Sequence, residues 1–338
     1  MIVLMKHEAV EQDVQRVVER IEKLGFKANV SKGVERTVIG IIGDERFLNK
    51  DQISLLPNVE NIIPILKPYK LASREFQPTD SVISVDGVLV GGSEIVIMAG
   101  PCSVESEDQM LESAEIVKKA GIKILRGGAF KPRTSPYSFQ GMGKEGLKIL
   151  EKAKKFTGLK IITEVMDTTE IELVAEYADI LQVGTRNMQN TKLLQNLGKI
   201  KKPVLLKRNY SATLAEFLLS AEYILSNGND QVILCERGIR TFVEYTRNTL
   251  DLNIVPAIKQ LSHLPIIVDP SHGTGRHDFI IPMSRAALAA GADGLIVEMH
   301  PKPEEATSDG EQSLKPEKLF QLMKEADLIA NAIGRTLL

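Results

Sequence analysis

The sequence contains little cysteine, almost no net charge and no long apolar run. Its 338 residues include only two cysteines, too few for a disulfide framework. Lys and Arg number 42 against 44 Asp and Glu, and the formal charge of −2 is unlike the basic domains that bind nucleic acids. No stretch reaches the roughly 18 apolar residues of a membrane span, and the first residues lack the pattern of a signal peptide. We therefore expect a soluble cytoplasmic protein without nucleic-acid or membrane partners.

One motif of hydrolytic enzymes is missing as well. The G-x-S-x-G elbow of serine hydrolases does not occur, so the adjacent Ser271 and His272 do not indicate a hydrolase triad. The composition, 43% hydrophobic and 25% charged, is that of an ordinary globular chain with a substantial core. The length fits about two domains, or one large α/β barrel with a small addition.

The first 66 residues predict a compact α+β domain. Apolar residues recur at helical spacing between positions 10 and 24, and Gly25 ends that stretch. β-prone runs lie on both sides of it. Residues 67–80, with two prolines and no clear period, predict a linker. The order β-α-β-β-α-β of a ferredoxin-like (ACT-like) domain is predicted for the segments 1–5, 10–24, 26–31, 34–42, 48–55 and 59–66.

Residues 81–338 predict one barrel preceded by a short β-hairpin. Asp86 and Gly87 are the turn signal of that hairpin. Beyond residue 94, short β-rich runs alternate with helical stretches over about 245 residues, the size and rhythm of a (β/α)8 (TIM) barrel. A doubly wound open sheet, the competing topology, more often has five or six strands. The eight runs are 95–99, 123–125, 160–163, 180–183, 204–206, 232–234, 266–268 and 294–297.

Charged residues follow most of these runs directly. In such barrels the chemistry lies in the loops after the strands, so we expect these side chains to meet at one face. Arg and Lys from the loops after four of these runs would converge there, which suits phosphates and a carboxylate. The alternative is a set of surface cations, each paired with a neighbouring carboxylate. The candidate cations are Arg126, Lys131, Arg133, Arg186, Lys207 and Arg237.

A second set of side chains combines a thiol, an imidazole and two carboxylates. Cys102, His272, Glu298 and Asp309 follow the first, seventh and eighth runs, which become neighbours when a barrel closes. Together they make a plausible site for a divalent transition metal. Alternatives remain for single members: Cys102 as a small buried residue, His272 as a loop cap and Asp309 as a turn residue.

Four motifs together resemble one enzyme family. They are Gly-Pro-Cys at 100–102, Arg-Gly-Gly-Ala-Phe-Lys-Pro-Arg-Thr-Ser-Pro at 126–136, Asp-Pro-Ser-His at 269–272 and Glu-Met-His at 298–300. From about residue 94 onward the chain resembles the 3-deoxy-D-arabino-heptulosonate-7-phosphate (DAHP) synthases, in the branch related to the 3-deoxy-D-manno-octulosonate-8-phosphate synthases. Lys-Pro-Arg-Thr at 131–134 favours the former, because octulosonate enzymes typically have Lys-Ala-Asn-Arg-Ser there. Cys102 favours a metal-dependent enzyme.

The resemblance implies a reaction and the residues that bind its substrates. The reaction is the condensation of phosphoenolpyruvate with erythrose 4-phosphate, which releases phosphate and is the first step of the shikimate pathway. The residues implied for phosphoenolpyruvate are Arg126, Lys131 and Lys207 at its carboxylate and Arg186 and Arg237 at its phosphate. Those implied for the phosphate of erythrose 4-phosphate are Arg133, Thr134 and Ser135.

The resemblance also implies a divalent metal ion, such as Mn, Fe, Zn or Co, whose identity the ligands do not decide. Glu164 falls where the family places a carboxylate near the attacking water. Lys131 lies between the two substrates and is a candidate for proton transfer. Glu164 and Lys131 form the predicted catalytic set together with Cys102 and His272. The implied metal ligands are Cys102, His272, Glu298 and Asp309.

The N-terminal 66 residues contain none of these candidates. In this family such extensions resemble amino-acid sensors, and the resemblance implies feedback inhibition by tyrosine or phenylalanine through this domain. It also implies a homo-oligomer, a tetramer in the family. Two other functions remain open: an octulosonate synthase that uses arabinose 5-phosphate, and a non-catalytic sensor of sugar phosphates or amino acids.

Overall fold

The computed structural model describes residues 1–33, 36–43, 48–63, 68–133 and 135–338. These residues form two compact units, Met1–Pro68 and Tyr69–Leu338. Each unit contains its own cluster of buried apolar side chains. Within the described ranges, no helix combines the length and the apolar character that crossing a membrane requires.

The N-terminal unit consists of a four-stranded sheet with two helices. Its strands pair antiparallel in the order β2-β3-β1-β4. Alternate residues of β1 and one face of α1 are buried together, because side chains repeat every second residue in a strand and every 3.6 residues in a helix. This topology confirms the ferredoxin-like prediction. The elements are β1 (Ile2–Met5), α1 (Glu11–Lys23), β2 (Lys27–Lys32), β3 (Thr37–Ile42), α2 (Asp51–Ser54) and β4 (Val59–Ile63).

The second unit begins with a segment packed on its core and a short hairpin. Tyr69, within the span predicted as a linker, is buried in the main apolar cluster of this unit. The hairpin pairs β5 (Ile83–Val85) with β6 (Val88–Val90). Asp86 and Gly87 join the two strands with φ angles of 46° and 92°. Both angles lie in the left-handed region, which the Asp-Gly turn of a two-residue hairpin requires.

Eight parallel strands close into a barrel in this unit. Each pairs with the next along the chain, and β14 pairs with β7 to complete the ring. Such strands are buried on both faces, so they are continuous apolar runs in the sequence. The closure confirms the (β/α)8 prediction. The strands are β7 (Glu94–Gly100), β8 (Ile124–Arg126), β9 (Lys160–Val165), β10 (Ile180–Val183), β11 (Val204–Lys207), β12 (Val232–Glu236), β13 (Ile266–Val268) and β14 (Gly294–Glu298).

Helices between the strands cover the outside of the barrel, and β15 (Thr336–Leu337) adds to the start of β7. Gly141, Gly143 and Gly146 repeat the G-x-G-x-x-G spacing of dinucleotide-binding turns, but a long loop separates them from β8, so they do not form such a turn. The helices are α3 (Glu107–Lys119), α4 (Lys144–Thr157), α5 (Ile171–Tyr177), α6 (Thr191–Leu197), α7 (Leu214–Leu225), α8 (Ile254–Leu261), α9 (Pro270–Thr274), α10 (His277–Ala289) and α11 (Pro316–Ala332).

The two ends of the barrel differ. Where the strands begin, Lys160 of β9 pairs with Asp86 of the hairpin turn, so the hairpin covers this end, which we call the closed end. The end at which the strands finish is called the mouth. The apolar cluster that extends from the closed end into the barrel interior contains Ile83, Val85, Val88, Val90, Val96, Met98, Ile124, Ile162, Ile180, Leu205, Ile233, Cys235, Ile267 and Ile296.

Candidate active site at the mouth of the barrel

A polar cavity lies at the mouth of the barrel. Parallel strands deliver their last residues to one edge, and here Arg126 ends β8 and Lys207 ends β11. Glu164 lies near the end of β9, Arg186 belongs to a short 3-10 helix after β10, and Arg237 follows β12. The other residues that line the cavity are Lys131, Pro132, Gln182, Gly184, Thr185, Tyr210, Arg247, His272 and Asp309.

Five of the six predicted cations line this cavity, all except Arg133. Apart from Arg186 they are almost completely buried, with at most 8% of their surface exposed. Two of them pair with buried carboxylates: Arg126 Nη2 lies 3.0 Å from Glu298 Oε1, and Lys207 Nζ lies 2.5 Å from Asp269 Oδ2. Arg126 Nε and Nη1 have no hydrogen-bond partner. Since unpaired buried donors are costly, the cavity is suited to receive anionic groups.

The loop after β8 carries the three residues predicted for the second phosphate. Arg133 Nε donates to the Phe139 carbonyl oxygen (3.0 Å), and its Nη1 lies 3.9 Å from Asp309 Oδ2. Its Nη2 is buried without a hydrogen-bond partner. Ser135 Oγ accepts a hydrogen bond from the backbone of its own loop. Thr134 lies outside the described residues. The structure therefore places Arg133 beside a candidate metal ligand.

Three of the four predicted metal ligands form a tight group, called here the ligand cluster: Cys102, Glu298 and Asp309. One donor atom from each lies within 4.8 Å of the others, and Cys102 Sγ is 3.1 Å from Asp309 Oδ2. His272 lies beside the cluster, with Nε2 at 3.4 Å from Glu298 Oε1. Cys102 follows β7, Glu298 ends β14 and His272 belongs to α9. The closure of the barrel therefore brings all four predicted ligands to one edge of the mouth.

The chemistry of the ligand cluster fits a divalent cation. Burial raises the pKa of the Cys102 thiol to about 12, and the Glu298 charge adds to this rise. The thiol is therefore protonated and donates to Asp309. Glu298 Oε1 is buried and accepts no aligned hydrogen bond, although Arg126 Nη2 is 3.0 Å away. A divalent cation would stabilise the thiolate and use these acceptors, and Mn, Fe, Co and Zn all suit this donor set.

Asp269 connects the cations with the ligand cluster, a role that the sequence analysis did not assign. Its Oδ2 lies 2.5 Å from Lys207 Nζ and 2.7 Å from His272 Nδ1, the latter without hydrogen-bond alignment. Burial alone would raise the pKa of Asp269, but His272 and Lys207 hold it well below its usual range. Burial lowers the pKa of His272, so its ring is neutral at pH 7, the form that binds metals.

Glu164 faces the cavity from β9. Its Oε2 accepts a hydrogen bond from Gln182 Nε2 (3.2 Å), and a Cβ at Gly184 would come within 2.0 Å of its Oε1, so this glycine makes room for the carboxyl. Burial raises the pKa of Glu164, although the charges of Lys131 and Lys207 act in the opposite direction. A carboxyl whose pKa is raised can exchange protons closer to neutral pH.

Lys131 lines the cation-rich cavity and also contacts Cys102 of the ligand cluster. Its Nζ donates to the Cys102 carbonyl oxygen (2.8 Å) and to Cys102 Sγ (3.0 Å). Six lining residues were not predicted, among them Gln182, Tyr210 and Arg247. Strand alternation along β10 could have identified Gln182. Tyr210 and Arg247 lie in loops, where no period in the sequence indicates which side chains face inward.

Comparison with known proteins agrees with this arrangement. A Thermotoga maritima protein named phospho-2-dehydro-3-deoxyheptonate aldolase is 53% identical over 334 residues, 99% of each chain. A crystal structure of phospho-2-dehydro-3-deoxyheptonate aldolase (DAHP synthase) from the same organism is similar with a TM-score of 0.97 and 52% identity, and the match covers 100% of this chain and 99% of that one. A 2-dehydro-3-deoxyphosphooctonate aldolase of Francisella tularensis is 31% identical over 266 residues, 72% of this chain and 96% of the relative.

Two family models match separate parts of the chain. Residues 75–331, which include the whole cavity, match the model described as the DAHP synthetase I family. Residues 1–67 match the DAHP synthase ferredoxin-like domain. The chain therefore belongs to the DAHP synthetase I family and has that family's ferredoxin-like domain at its N-terminus.

Proposed function

We propose that this protein condenses phosphoenolpyruvate with erythrose 4-phosphate to give DAHP and phosphate, the first step of the shikimate pathway. One observation carries the proposal: five of the predicted cations line one cavity together with His272 and with Asp309 of the ligand cluster, and Lys131 of this cavity also contacts Cys102. Two anionic substrates repel each other, and a cationic cavity that holds both offsets this repulsion and fixes their orientation. The name of the Thermotoga maritima relative agrees with this reaction.

Phosphoenolpyruvate binds to four buried cations and to the exposed Arg186 in this proposal. The planar guanidinium groups suit its carboxylate and phosphate because they donate paired hydrogen bonds. Arg237 is oriented by Tyr210, whose ring lies 4.7 Å from the guanidinium carbon, a contact that leaves N–H donors available for the phosphate. The proposed ligands are Arg126, Lys131 and Lys207 for the carboxylate and Arg186 and Arg237 for the phosphate.

Erythrose 4-phosphate binds near the ligand cluster. Its phosphate is held by Arg133, with Thr134 and Ser135 of the same loop, which leaves its aldehyde toward Lys131. A divalent cation held by the ligand cluster and His272 would stabilise the negative charge that develops on the aldehyde oxygen. The position of Arg133, 3.9 Å from Asp309, supports this placement because it puts the phosphate ligand beside the cluster.

Two residues move protons in the proposed reaction. The enol carbon of phosphoenolpyruvate forms the new bond to the aldehyde carbon, and Lys131 Nζ donates a proton to the aldehyde oxygen. Water then adds to the carbon that bears the phosphate, and Glu164 accepts the proton of that water. The bond between this carbon and the phosphate oxygen then breaks as the new hydroxyl becomes the carbonyl group, and the phosphate leaves with the proton of that hydroxyl. The raised pKa of Glu164 supports its role, since a stronger base removes this proton more readily.

A single assay separates this function from its rivals. Phosphate release from phosphoenolpyruvate is measured with erythrose 4-phosphate or arabinose 5-phosphate, with EDTA and after re-addition of Mn²⁺. We expect turnover with erythrose 4-phosphate that EDTA abolishes and Mn²⁺ restores. Turnover with arabinose 5-phosphate alone would indicate an octulosonate synthase. No turnover with either sugar would indicate a non-catalytic sensor.

We further propose that tyrosine or phenylalanine inhibits the enzyme through the N-terminal unit. The match of residues 1–67 to the DAHP synthase ferredoxin-like domain supports this proposal, as does the separate apolar core of the unit. A variant without residues 1–66 is expected to retain turnover and lose inhibition. Inhibition that persists in this variant would contradict the proposal. Light scattering on the full chain tests the homo-tetramer that the resemblance implies.

A further inference from the structure

Arg247 lies beside the ligand cluster, in the long loop between β12 and α8. Its backbone N–H donates to the Thr274 carbonyl oxygen at 2.8 Å. Gly275, with φ of 69°, permits this approach, because a Cβ there would lie 2.5 Å from the Arg247 Cβ. The main chain at Arg247 is thus anchored to α9, the helix that carries His272. Its backbone position is therefore set, while its side chain extends over the cluster.

The Arg247 guanidinium has two partners in the structure. Nη1 lies 3.5 Å from Asp309 Oδ1 and donates to Gln312 Oε1 at 2.7 Å. The side chain is 40% exposed, whereas those of Arg126 and Lys207 are 6% and 4% exposed. A partly exposed guanidinium exchanges one anionic partner for another at little cost, because water solvates it in both positions. Arg247 therefore differs from the buried cations in its ability to change partners.

Three side chains approach the two carboxylate oxygens of Asp309. Oδ2 accepts from Cys102 Sγ at 3.1 Å and lies 3.9 Å from Arg133 Nη1, while Oδ1 faces Arg247. A divalent cation held by the ligand cluster would neutralise this carboxylate and weaken its attraction for both guanidinium groups. Arg133 and Arg247 would then have charge available for another anion at the same place.

We propose that Arg247 pairs with Asp309 in the metal-free protein and with the phosphate of the aldose phosphate once a divalent cation holds Asp309. The second half rests on the proposed function. Arg133 and Arg247 approach the two oxygens of one carboxylate, at 3.9 and 3.5 Å, so both reach a phosphate placed beside Asp309. Two guanidinium groups match a phosphate dianion in charge and in donors. Arg247 is thus a positioning residue for the metal site and a specificity residue for the phosphorylated aldehyde.

The variant Arg247→Gln tests this proposal because it shifts two binding constants in opposite directions. The Mn²⁺ affinity of the metal-free full chain, measured by competition with a chelating dye and without substrate, is expected to rise about 2- to 5-fold, since a competing ion pair is removed. In the Mn²⁺-saturated enzyme, KM for erythrose 4-phosphate is expected to rise about 10-fold or more. KM for phosphoenolpyruvate is expected to change less than about twofold.

Two further variants serve as controls. Arg247→Lys keeps the charge but loses the paired donors, so we expect wild-type Mn²⁺ affinity and an intermediate KM for erythrose 4-phosphate. Arg240→Gln is the matched control on the same loop. Arg240 is exposed and its guanidinium stacks on Tyr210 at 4.7 Å. Because this stacking involves neither Asp309 nor the ligand cluster, Arg240→Gln is expected to bind Mn²⁺ as the wild type does.

Several results would overturn the proposal. Weaker or unchanged Mn²⁺ binding by Arg247→Gln would show that the guanidinium does not compete for Asp309. An unchanged KM for erythrose 4-phosphate would show that it does not reach the phosphate. A parallel loss of Mn²⁺ affinity and of affinity for both substrates would indicate a distorted loop instead. If the wild type does not turn over the two substrates, the proposed function fails, while the Mn²⁺ titration still decides the first half.

Discussion

The two ends of the barrel are built from opposite kinds of side chain. At the closed end, the hairpin side chains of Ile83 and Val90 pack with apolar residues inside the barrel. At the mouth, Arg126 Nε and Nη1 and Glu298 Oε1 are buried without hydrogen-bond partners. Apolar burial stabilises a fold, whereas incompletely paired buried charges destabilise it. We infer that apolar burial at the closed end offsets the free-energy cost of the incompletely paired charges at the mouth, which are suited to bind ligands.

Two neighbouring cations at the end of β11 have different partners and different roles. Lys207 points into the cavity and pairs with Asp269. Arg208, the next residue, pairs instead with Glu236, whose Oε1 also accepts from the Gly238 backbone at 2.6 Å. Successive side chains alternate in a strand, so one cation faces the substrate site and the other holds the loop that follows β12. A buried ion pair at the mouth is therefore not by itself a sign of substrate binding.

The largest effect is expected from replacing the cysteine at the mouth. Cys102→Ala removes a donor from the ligand cluster and should lower kcat in Mn²⁺ by about 10²–10³-fold or more, because the charge on the aldehyde oxygen loses its stabilisation. Cys235, the other buried cysteine, lies opposite Lys207 in the register of β11 and β12 but is not part of the ligand cluster, so it is the matched control for the loss of a buried thiol. Cys235→Ala should lower the free energy of unfolding by about 1 kcal/mol and keep kcat within about twofold. Steady-state kinetics and urea unfolding measure both.

These two cysteine variants also show how the comparison between the ends could fail. Full turnover of Cys102→Ala in the presence of EDTA would contradict the metal site. Equal losses of kcat in both variants would mean that the apolar interior of the barrel also controls the chemistry, and the division between the polar mouth and the apolar interior would then be wrong.

A smaller effect, on stability alone, is expected at the closed end. Ile83 is 4% exposed and packs in the apolar cluster, so Ile83→Ala should lower the free energy of unfolding by about 2–4 kcal/mol. Leu89 lies on the same hairpin but is 44% exposed, and Leu89→Ala should change it by less than about 0.5 kcal/mol. Urea titrations measure both variants. A changed KM in Ile83→Ala with unchanged stability would contradict the structural role of the hairpin.

The apolar runs predict the residues at the mouth that end strands. The loop residues Lys131 and Asp309 are candidates because they follow such runs and the family resemblance supports their roles, whereas Arg247 is missed. Arg126, Lys207 and Glu298 end barrel strands, so the apolar runs before them predict their positions to within a residue or two. Arg247 lies in a loop without periodicity, and its contact with Asp309 depends on how two separate loops fold. The sequence shows that Asp269 follows the seventh β-rich run. Its contacts with Lys207 and His272, however, depend on side-chain conformations that no sequence pattern predicts.

A further small effect on stability is expected for Glu164, and its sign is opposite to that of Ile83. Burial raises the pKa of Glu164, so ionisation costs more in the folded than in the unfolded chain. This cost begins above the ordinary pKa of about 4.3 and grows until the pH passes the raised pKa. Glu164→Gln removes it, so the variant should match the wild type near pH 4 and be more stable at pH 8, by about 1 kcal/mol or less.

Urea titrations of Glu164→Gln and wild type at pH 4 and pH 8 test this sign. A variant less stable than the wild type at pH 8 would show that the ionised carboxylate stabilises the mouth, through Lys131 and Lys207, more than burial destabilises it. A variant more stable at pH 8 would show that the protein keeps Glu164 in spite of its cost. A function of the carboxylate would then account for its place in the cavity.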